Sequence, residues 1–389
     1  MACAQGISRR VPPLIIIAFF FTFMGPAVVQ VFLRNLVPAD WGAVKVTAIL
    51  AALYFSFMFW RLLVVKTQHW MGDKWSLVFG VAAYMLVPAA LIFTTSYALL
   101  VVLAILWGWG AAAIWLTGPV WLYDNTNPAR RGFWAGVLYM VLFAGLYIGT
   151  LLVGYAAKDA SRAWMLFLLV APGAVAVVLA AALPRRAARA EALSFAGMRS
   201  MVLDRRVIIL GILLFVSATT YGLLLGAFRD RIDLAFGTKT VGIVLSWFFM
   251  ARLLVSILGG HFTDIIARRS VVALAFFVGG AALALASGFK DVWALTAASV
   301  ALGLVGGIVP VSATAYSADW FPPEKRSLAM GASFIWGDLG TAVSLLAGQF
   351  IAEASPGFAA PLLAFAALFL ASTVLALLLP GAHRKGNSQ

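Results

Sequence analysis

Acidic residues and cysteine are both scarce in this sequence. Only 14 of the 389 residues are Asp or Glu, against 28 Lys or Arg, and the single cysteine is Cys3. One cysteine excludes a disulfide framework and a cysteine-ligated cluster. The three histidines, His69, His261 and His383, are scattered at predicted loop positions. We therefore expect no metal site and no cofactor.

Charge of either sign is sparse as well. Only 11% of the residues are charged, whereas 63% are apolar and the mean hydropathy is +1.00, which is outside the range of soluble domains. A membrane-spanning helix needs about 20 apolar residues, and stretches of that length recur along the whole chain. The composition predicts an all-α membrane protein in contact with lipid. No segment remains for a soluble catalytic domain, so we expect no enzyme.

The apolar stretches predict twelve transmembrane helices in two groups of six. The first group covers 11–33, 44–65, 75–93, 97–123, 133–156 and 163–183. The second group covers 207–228, 241–260, 270–287, 292–316, 328–351 and 358–379. An arginine-rich stretch separates the groups, which predicts an N-terminal bundle (1–183), a cytoplasmic linker (184–206) and a C-terminal bundle (207–389).

Basic residues favour one side of the predicted helices. With the N-terminus in the cytoplasm, the inside loops hold 18 Lys or Arg and the outside loops hold eight. This positive-inside bias predicts that both termini are cytoplasmic in a bacterial-type inner membrane. It also accounts for the net charge of +14, which in a soluble protein would suggest a nucleic-acid partner. We expect no nucleic acid, and a monomer.

The loops contain an internal repeat. Four residues recur 195 positions later: Asp124, Pro128, Arg131 and Gly136 correspond to Asp319, Pro323, Arg326 and Gly331. A second set recurs at an offset of 191, in which Arg61 and Asp73 correspond to Arg252 and Asp264. These offsets predict two parallel repeats related by an axis along the membrane normal.

Two loop segments carry a resemblance to a known family. Residues 260–269 read GHFTDIIARR, a glycine, an aspartate four residues later and then a basic pair. This resembles the loop signature of the major facilitator superfamily, and the segment 320–331 is similar to the loop before the fifth or eleventh helix of its members. The resemblance covers essentially the whole chain.

The resemblance implies two pseudo-symmetric six-helix bundles and a secondary transporter that works by alternating access. It further implies a charged cytoplasmic latch, which must break when the halves rock. The residues assigned to this latch are Asp73, Lys74, Asp124, Arg131, Asp264, Arg268, Arg269, Asp319 and Arg326. The alternative is that they are solvated loop charges that set topology.

Two arginines fall inside the predicted helices. Arg252 lies twelve residues, about 18 Å, from Asp264, near mid-membrane, where an arginine costs at least about 2.5 kcal/mol. Arg61 occupies the equivalent position in the first half. Two guanidinium groups facing one cavity would suit a small anion, and the arrangement is similar to the nitrate and nitrite porters of the superfamily. Alternatively, Arg61 snorkels to the cytoplasm and Arg252 belongs to a structural pair.

Asp338 is the one acid placed deep in a predicted helix. A carboxyl group removed from water there is a candidate proton carrier, and the alternative is a salt bridge to Arg252 or Arg61. Other polar side chains in apolar helices are candidates for substrate contact or for interhelical packing. These are Tyr54, Thr117, Tyr123, Tyr147, Tyr221, Ser312 and Tyr316.

The leading hypothesis is a secondary transporter for a small organic or inorganic anion, with proton coupling as an option. A proton-driven exporter of hydrophobic or cationic compounds is the alternative, because the glycines at 136, 145, 149 and 154 partly match the superfamily's antiporter motif. Close helix packing explains the same glycines equally well. A third possibility is a scaffold or receptor that transports nothing.

Overall fold

The computed structural model describes residues 10–127, 130–159, 162–184, 200–265, 267–289, 291–355 and 359–379. Within these residues, twelve helices are long and apolar enough to cross a membrane, which confirms the predicted all-α membrane fold. Their bounds are α1 Val11–Leu36, α2 Ala43–Val64, α3 Lys66–Phe93, α4 Tyr97–Asp124, α5 Arg131–Asp159, α6 Arg162–Ala181, α7 Arg205–Phe236, α8 Thr238–Ile265, α9 Arg268–Gly288, α10 Val292–Trp320, α11 Pro323–Ala354 and α12 Ala359–Leu377.

The chain turns at one glycine within the first residues of α3. Helical structure continues from Ala43 to Phe93, with a single break at Gly72, where φ is 73°. An L side chain is strained at that backbone angle, whereas glycine is not. Gly72 therefore reverses the chain at the end that the charge bias predicts to be cytoplasmic. We call this the inner end of the bundle and the opposite one the outer end.

The first helix of each half is interrupted. In α1, a 3-10 turn at Pro26–Val28 separates the helices Val11–Met24 and Val29–Leu36. In α7, a π-helical turn at Leu224–Phe228 is followed by the helix Arg229–Phe236. The predicted end of α7 at residue 228 is therefore wrong, because the chain continues as a helix packed inside the protein. This extension places Asp230 in a membrane span, so Asp338 is not the only buried acid.

The helices form two bundles. In the first, α1 packs on α5 and α6, and in the second, α7 packs on α11 while α9 packs on α12. The bundles meet where α5 lies along α8 and where α2 meets α11. Two helices from each half therefore form the interface between the bundles.

Before α7, Asp204 caps the helix start by accepting a hydrogen bond from the backbone N–H of Arg206 at 2.8 Å. The Arg206 guanidinium also donates to this carboxylate and holds its pKa below the usual range. The inner start of the second bundle is thus fixed by a local polar contact.

The α5 glycines lie at close contacts between helices. Gly145 and Gly149 face the α1 backbone near Met24, and Gly154 faces Gly242 of α8. A Cβ atom added at Gly154 would lie 2.6 Å from the Gly242 Cα. These contacts explain the α5 glycine pattern by packing, because only small residues let two helix backbones approach so closely.

We expect Gly154→Ala to destabilise the protein, because the added methyl group would meet backbone that has to move. Overpacking of this kind costs about 1–3 kcal/mol. Gly288→Ala at the end of α9 is the control, since nothing lies within 4 Å of a Cβ atom there. Thermal unfolding of the purified protein should give a lower midpoint for Gly154→Ala alone, and equal midpoints would contradict the contact.

Candidate functional site

Arg61 and Asp338 form an ion pair that joins the two halves. Arg61 Nε in α2 contacts Asp338 Oδ2 in α11, and Nη2 donates to Oδ1 at 3.3 Å. Asp338 is only 7% exposed. The Arg61 guanidinium also lies over the ring of Phe57, 4.1 Å from its centre. The sequence predicts Arg252 or Arg61 as the partner of Asp338, and in the structure the partner is Arg61. The negative charge of the carboxylate balances the positive charge of the guanidinium.

Arg252, the equivalent arginine of the second half, has no such partner. Its guanidinium lies 4.6 Å from the centre of the Phe143 ring in α5 and 5.5 Å from that of Phe248 in α8. Its Nε is buried and has no hydrogen-bond acceptor. Among the described residues, no carboxylate pairs with Arg252. Within the described part of the chain, Arg252 therefore contributes an uncompensated positive charge to the interior.

Aromatic rings connect the halves near these arginines. Tyr54 of α2 meets Tyr221 of α7 edge to face at 6.2 Å, and Tyr221 stacks on Phe248 at 6.0 Å. The Tyr54 hydroxyl donates to Gln30 Oε1 at 2.6 Å. The predicted residues Tyr54 and Tyr221 thus belong to a ring-lined region that reaches Arg252 through Phe248.

A second series of rings comes from the first half. Trp115 of α4 packs against Tyr139 of α5 at 5.9 Å, and Tyr139 packs against Phe143 at 6.4 Å. Tyr139 interacts electrostatically with both Arg61 and Arg252, which places the two arginines around one central region. Trp115, Tyr139 and Phe143 are not singled out by the sequence, because aromatic residues make up 13% of the chain.

The other predicted contact residues are placed differently. Thr117 and Ser312 are buried, and neither hydroxyl has a hydrogen-bond partner. Tyr123 and Tyr147 are partly buried and pack against the core. Tyr316 instead faces the inner end, where Arg268 lies 6.0 Å from the centre of its ring.

The predicted latch residues form contacts within each half. Arg268 pairs with Asp319, and both belong to the second bundle. Arg326 Nε donates to the Phe321 carbonyl at 3.0 Å, and Arg269 is exposed.

In the first bundle, Asp73 is buried and accepts a hydrogen bond from Gln68 at 2.7 Å, while Lys74 lies beside the Trp75 ring. Asp124 is partly buried at the end of α4. The side chains of Asp264 and Arg131 lie outside the described residues. A cytoplasmic latch between helices formed by these charges stays a prediction.

At the outer end, a polar network does join the halves. Arg229 is 2% exposed, donates to the Val31 carbonyl of α1 at 3.1 Å, and contacts Asn35. It also pairs with Asp230 at 2.7 Å and with Asp233 at 2.8 Å. A buried arginine is therefore satisfied by two acids of its own helix and by polar groups of the other half.

Further hydrogen bonds extend this outer network. Gln349 of α11 donates to Asp230 at 2.8 Å, and Asn35 donates to Thr238 of α8 at 2.9 Å. The apolar pattern of the sequence predicts a loop at residues 229–233. The four-residue spacing of Arg229 and Asp233 is the sequence feature that could have indicated the longer helix, since these positions share one face if the helix continues.

Replacing Arg229 with methionine should destabilise the protein strongly, because Asp230 and Asp233 would lose their buried cation. Breaking such a pair costs about 3–5 kcal/mol. Arg205→Met is the matched control, since Arg205 is exposed at the start of α7. The thermal midpoint should fall markedly for Arg229→Met and change little for Arg205→Met. A similar small change in both would show that the network adds no stability.

Comparison with known proteins gives two family matches. The model described as Major Facilitator Superfamily matches residues 207–389, and the one described as Ion channel regulatory protein UNC-93 matches residues 48–223. No curated protein sequence matches the chain.

Solved structures with a similar fold include two of the nucleoside transporter NupG. A mutant form is 13% identical, with a TM-score of 0.75, and the match covers 94% of this chain and 98% of that one. A second structure is 12% identical, with a TM-score of 0.72 and coverage of 95% and 96%. At such low identity the similarity shows the fold alone.

Proposed function

We propose, from the chemistry at its centre, that this member of the major facilitator superfamily is a secondary transporter for a small anion. It would act by alternating access in a bacterial inner membrane, with both termini in the cytoplasm. The observation that carries the proposal is the Arg252 guanidinium, which is held inside the bundle without a carboxylate partner.

An unpaired interior cation favours an anionic ligand for energetic reasons. Removing a guanidinium from water is costly, and the cost is recovered only when an opposite charge or several acceptors compensate it. Two phenyl rings beside Arg252 offer attraction but no hydrogen-bond acceptor. A carboxylate or another planar oxyanion supplies both the charge and the acceptors.

The repeat suggested that Arg61 and Arg252 would bind the anion in equivalent ways, but we assign Arg61 a different role. Its charge is already balanced by Asp338, so Arg252 is the anchor that supports anion binding in this conformation. We include proton coupling in the proposal. If Asp338 takes up a proton, its attraction for Arg61 weakens, and Arg61 becomes available to the anion. Proton and anion would then bind together.

Two polar contacts between the halves suit alternating access. The Arg61–Asp338 pair joins α2 to α11, and the Arg229 network joins α7 to α1 and α11. Rocking of one bundle against the other requires the contacts at one end to break while those at the other end hold. We propose the Arg229 network as the outer gate of this cycle.

A neutral solute with an aromatic ring is a second candidate substrate. The similar fold of a nucleoside transporter and the ring-lined region around Tyr54 and Tyr221 support it. The Tyr54 hydroxyl and the Gln30 amide, which are hydrogen-bonded to each other, would offer polar contacts to such a solute. A neutral solute would nevertheless leave the charge of Arg252 uncompensated, so we favour the anion.

Arg252→Gln and Arg252→Lys test the anion proposal. Loss of a charge-assisted hydrogen bond of about 1.5–3 kcal/mol weakens binding roughly tenfold to a hundredfold. We therefore expect small anions such as acetate, nitrate and benzoate to raise the melting temperature of the unmodified protein and of Arg205→Gln, but not of Arg252→Gln. Lysine should restore little, because it lacks the planar fork.

An exporter of cations would behave in the opposite way. It would be stabilised by tetraphenylphosphonium, would keep that response in Arg252→Gln, and would lose it in Asp338→Asn. A scaffold or receptor would show no flux of any of these compounds in proteoliposomes. Either result would overturn the anion transporter.

Asp338→Asn tests proton coupling. The amide keeps the shape of the side chain but cannot gain or lose a proton, so we expect anion uptake into proteoliposomes to lose its dependence on a pH gradient while anion binding persists. Asp40→Asn is the control, because Asp40 is exposed in the loop between α1 and α2. Unchanged pH dependence in Asp338→Asn would rule out Asp338 as the proton carrier.

A further inference from the structure

The residues around Arg252 indicate more about the ligand than the sign of its charge. The described Arg and Asp side chains there are Arg61, Asp338 and Arg252. In the paired state of this structure the charges of Arg61 and Asp338 cancel, so these three side chains carry a single net positive charge. A ligand with one negative charge would neutralise it, whereas a dianion would leave a second charge unpaired in a low-dielectric space. The charge balance therefore favours a monoanion.

The surroundings of Arg252 also restrict the shape of the anionic group. Phe143 and Phe248 flank the guanidinium, and its buried Nε still lacks an acceptor. Beside Nε stands Gly306, where an added Cβ would lie 3.6 Å from Nε and 3.1 Å from Thr220 Oγ1. A side chain at position 306 would therefore crowd Nε, and glycine avoids this contact. A planar carboxylate suits a guanidinium whose Nε lacks an acceptor, since it can accept from Nε and a terminal nitrogen together.

Aromatic rings lead away from Arg252 on both sides. One series runs from Phe248 to Tyr221 and Tyr54, and the other runs from Phe143 to Tyr139 and Trp115. Each series comes mainly from one half, so a ligand between them would touch both bundles. Rings prefer to pack against other rings edge to face or offset, which favours an aromatic group next to the carboxylate.

We infer that the substrate is a planar aromatic monocarboxylate, whose carboxylate binds Arg252 and whose ring packs against Phe143 and Phe248. This inference rests on the proposed anion transport and names the chemical class of the anion. It assigns Phe143 and Phe248 as the residues that select for the ring, and Arg252 as the residue that selects for the charge.

Benzoate and four relatives test the inference by changing one property at a time. Acetate lacks the ring, cyclohexanecarboxylate lacks the planarity, benzamide lacks the charge and phthalate adds a second charge. We expect binding to the purified full-length protein, measured by calorimetry, to be at least tenfold tighter for benzoate than for acetate, benzamide or phthalate. Cyclohexanecarboxylate should bind several-fold more weakly than benzoate.

Variants of the two rings separate ring selection from charge selection. Phe143→Leu and Phe248→Leu should lower the benzoate preference over acetate about tenfold, and Arg252→Gln should abolish binding of both. Phe276→Leu is the control for loss of a buried ring, because Phe276 packs against Phe369 between α9 and α12. Melting temperatures without ligand show whether each variant is folded.

The outcomes distinguish the two levels of the proposal. If acetate or nitrate binds as tightly as benzoate and still depends on Arg252, anion transport stands and the aromatic monocarboxylate is wrong. If phthalate binds more tightly than benzoate, the monoanion is wrong. If benzamide binds as well as benzoate, or if Arg252→Gln retains benzoate binding, both the inference and the anion proposal fail.

Discussion

A guanidinium group inside a membrane-spanning bundle has to be compensated by acceptors or opposite charge, and three buried or half-buried arginines of this protein meet that requirement in different ways. Arg229 is satisfied completely, by two acids of its own helix and by polar groups of the other half. Arg61 is satisfied by one acid across the interface between the halves. Arg252 has aromatic rings beside it but no acid among the residues that the structure describes. The paired arginines, Arg229 and Arg61, stabilise the structure, whereas Arg252 is the arginine that a ligand would compensate.

The locations of the three arginines connect packing to mechanism. Arg229 lies at the outer end, while Arg61 and Arg252 share the electrostatic environment of Tyr139 at the centre. The halves touch through α5 with α8 and α2 with α11, and the central arginines and Asp338 lie on α2, α8 and α11. Movement of these helices would therefore alter the compensation of the central charges. In the proposed cycle, the bound anion balances the charge of Arg252, as Asp338 balances the charge of Arg61.

Much of the fold could be predicted because it depends on local properties of the chain. A run of about 20 apolar residues is long enough to span a membrane whatever its neighbours are, so the twelve helices were found. The end of α7 was missed because the segment 229–236 is polar, and its helical burial depends on groups supplied by α1 and α11. A polar segment can be a loop or a buried helix, and only its neighbours decide between them.

The candidate site was likewise predicted in part from the sequence, and its remaining features depend on the tertiary structure. Sequence alone identified Arg61, Arg252 and Asp338, because charged residues are rare and costly within apolar helices, and it related the two arginines through the 191-residue offset. Only the tertiary structure decided that Asp338 pairs with Arg61 and not with Arg252, and that Phe143 and Phe248 stand beside the unpaired arginine. The reason is physical: the cost of burying a charge is a property of the residue and its helix, whereas the partner depends on how helices from two distant parts of the chain cross.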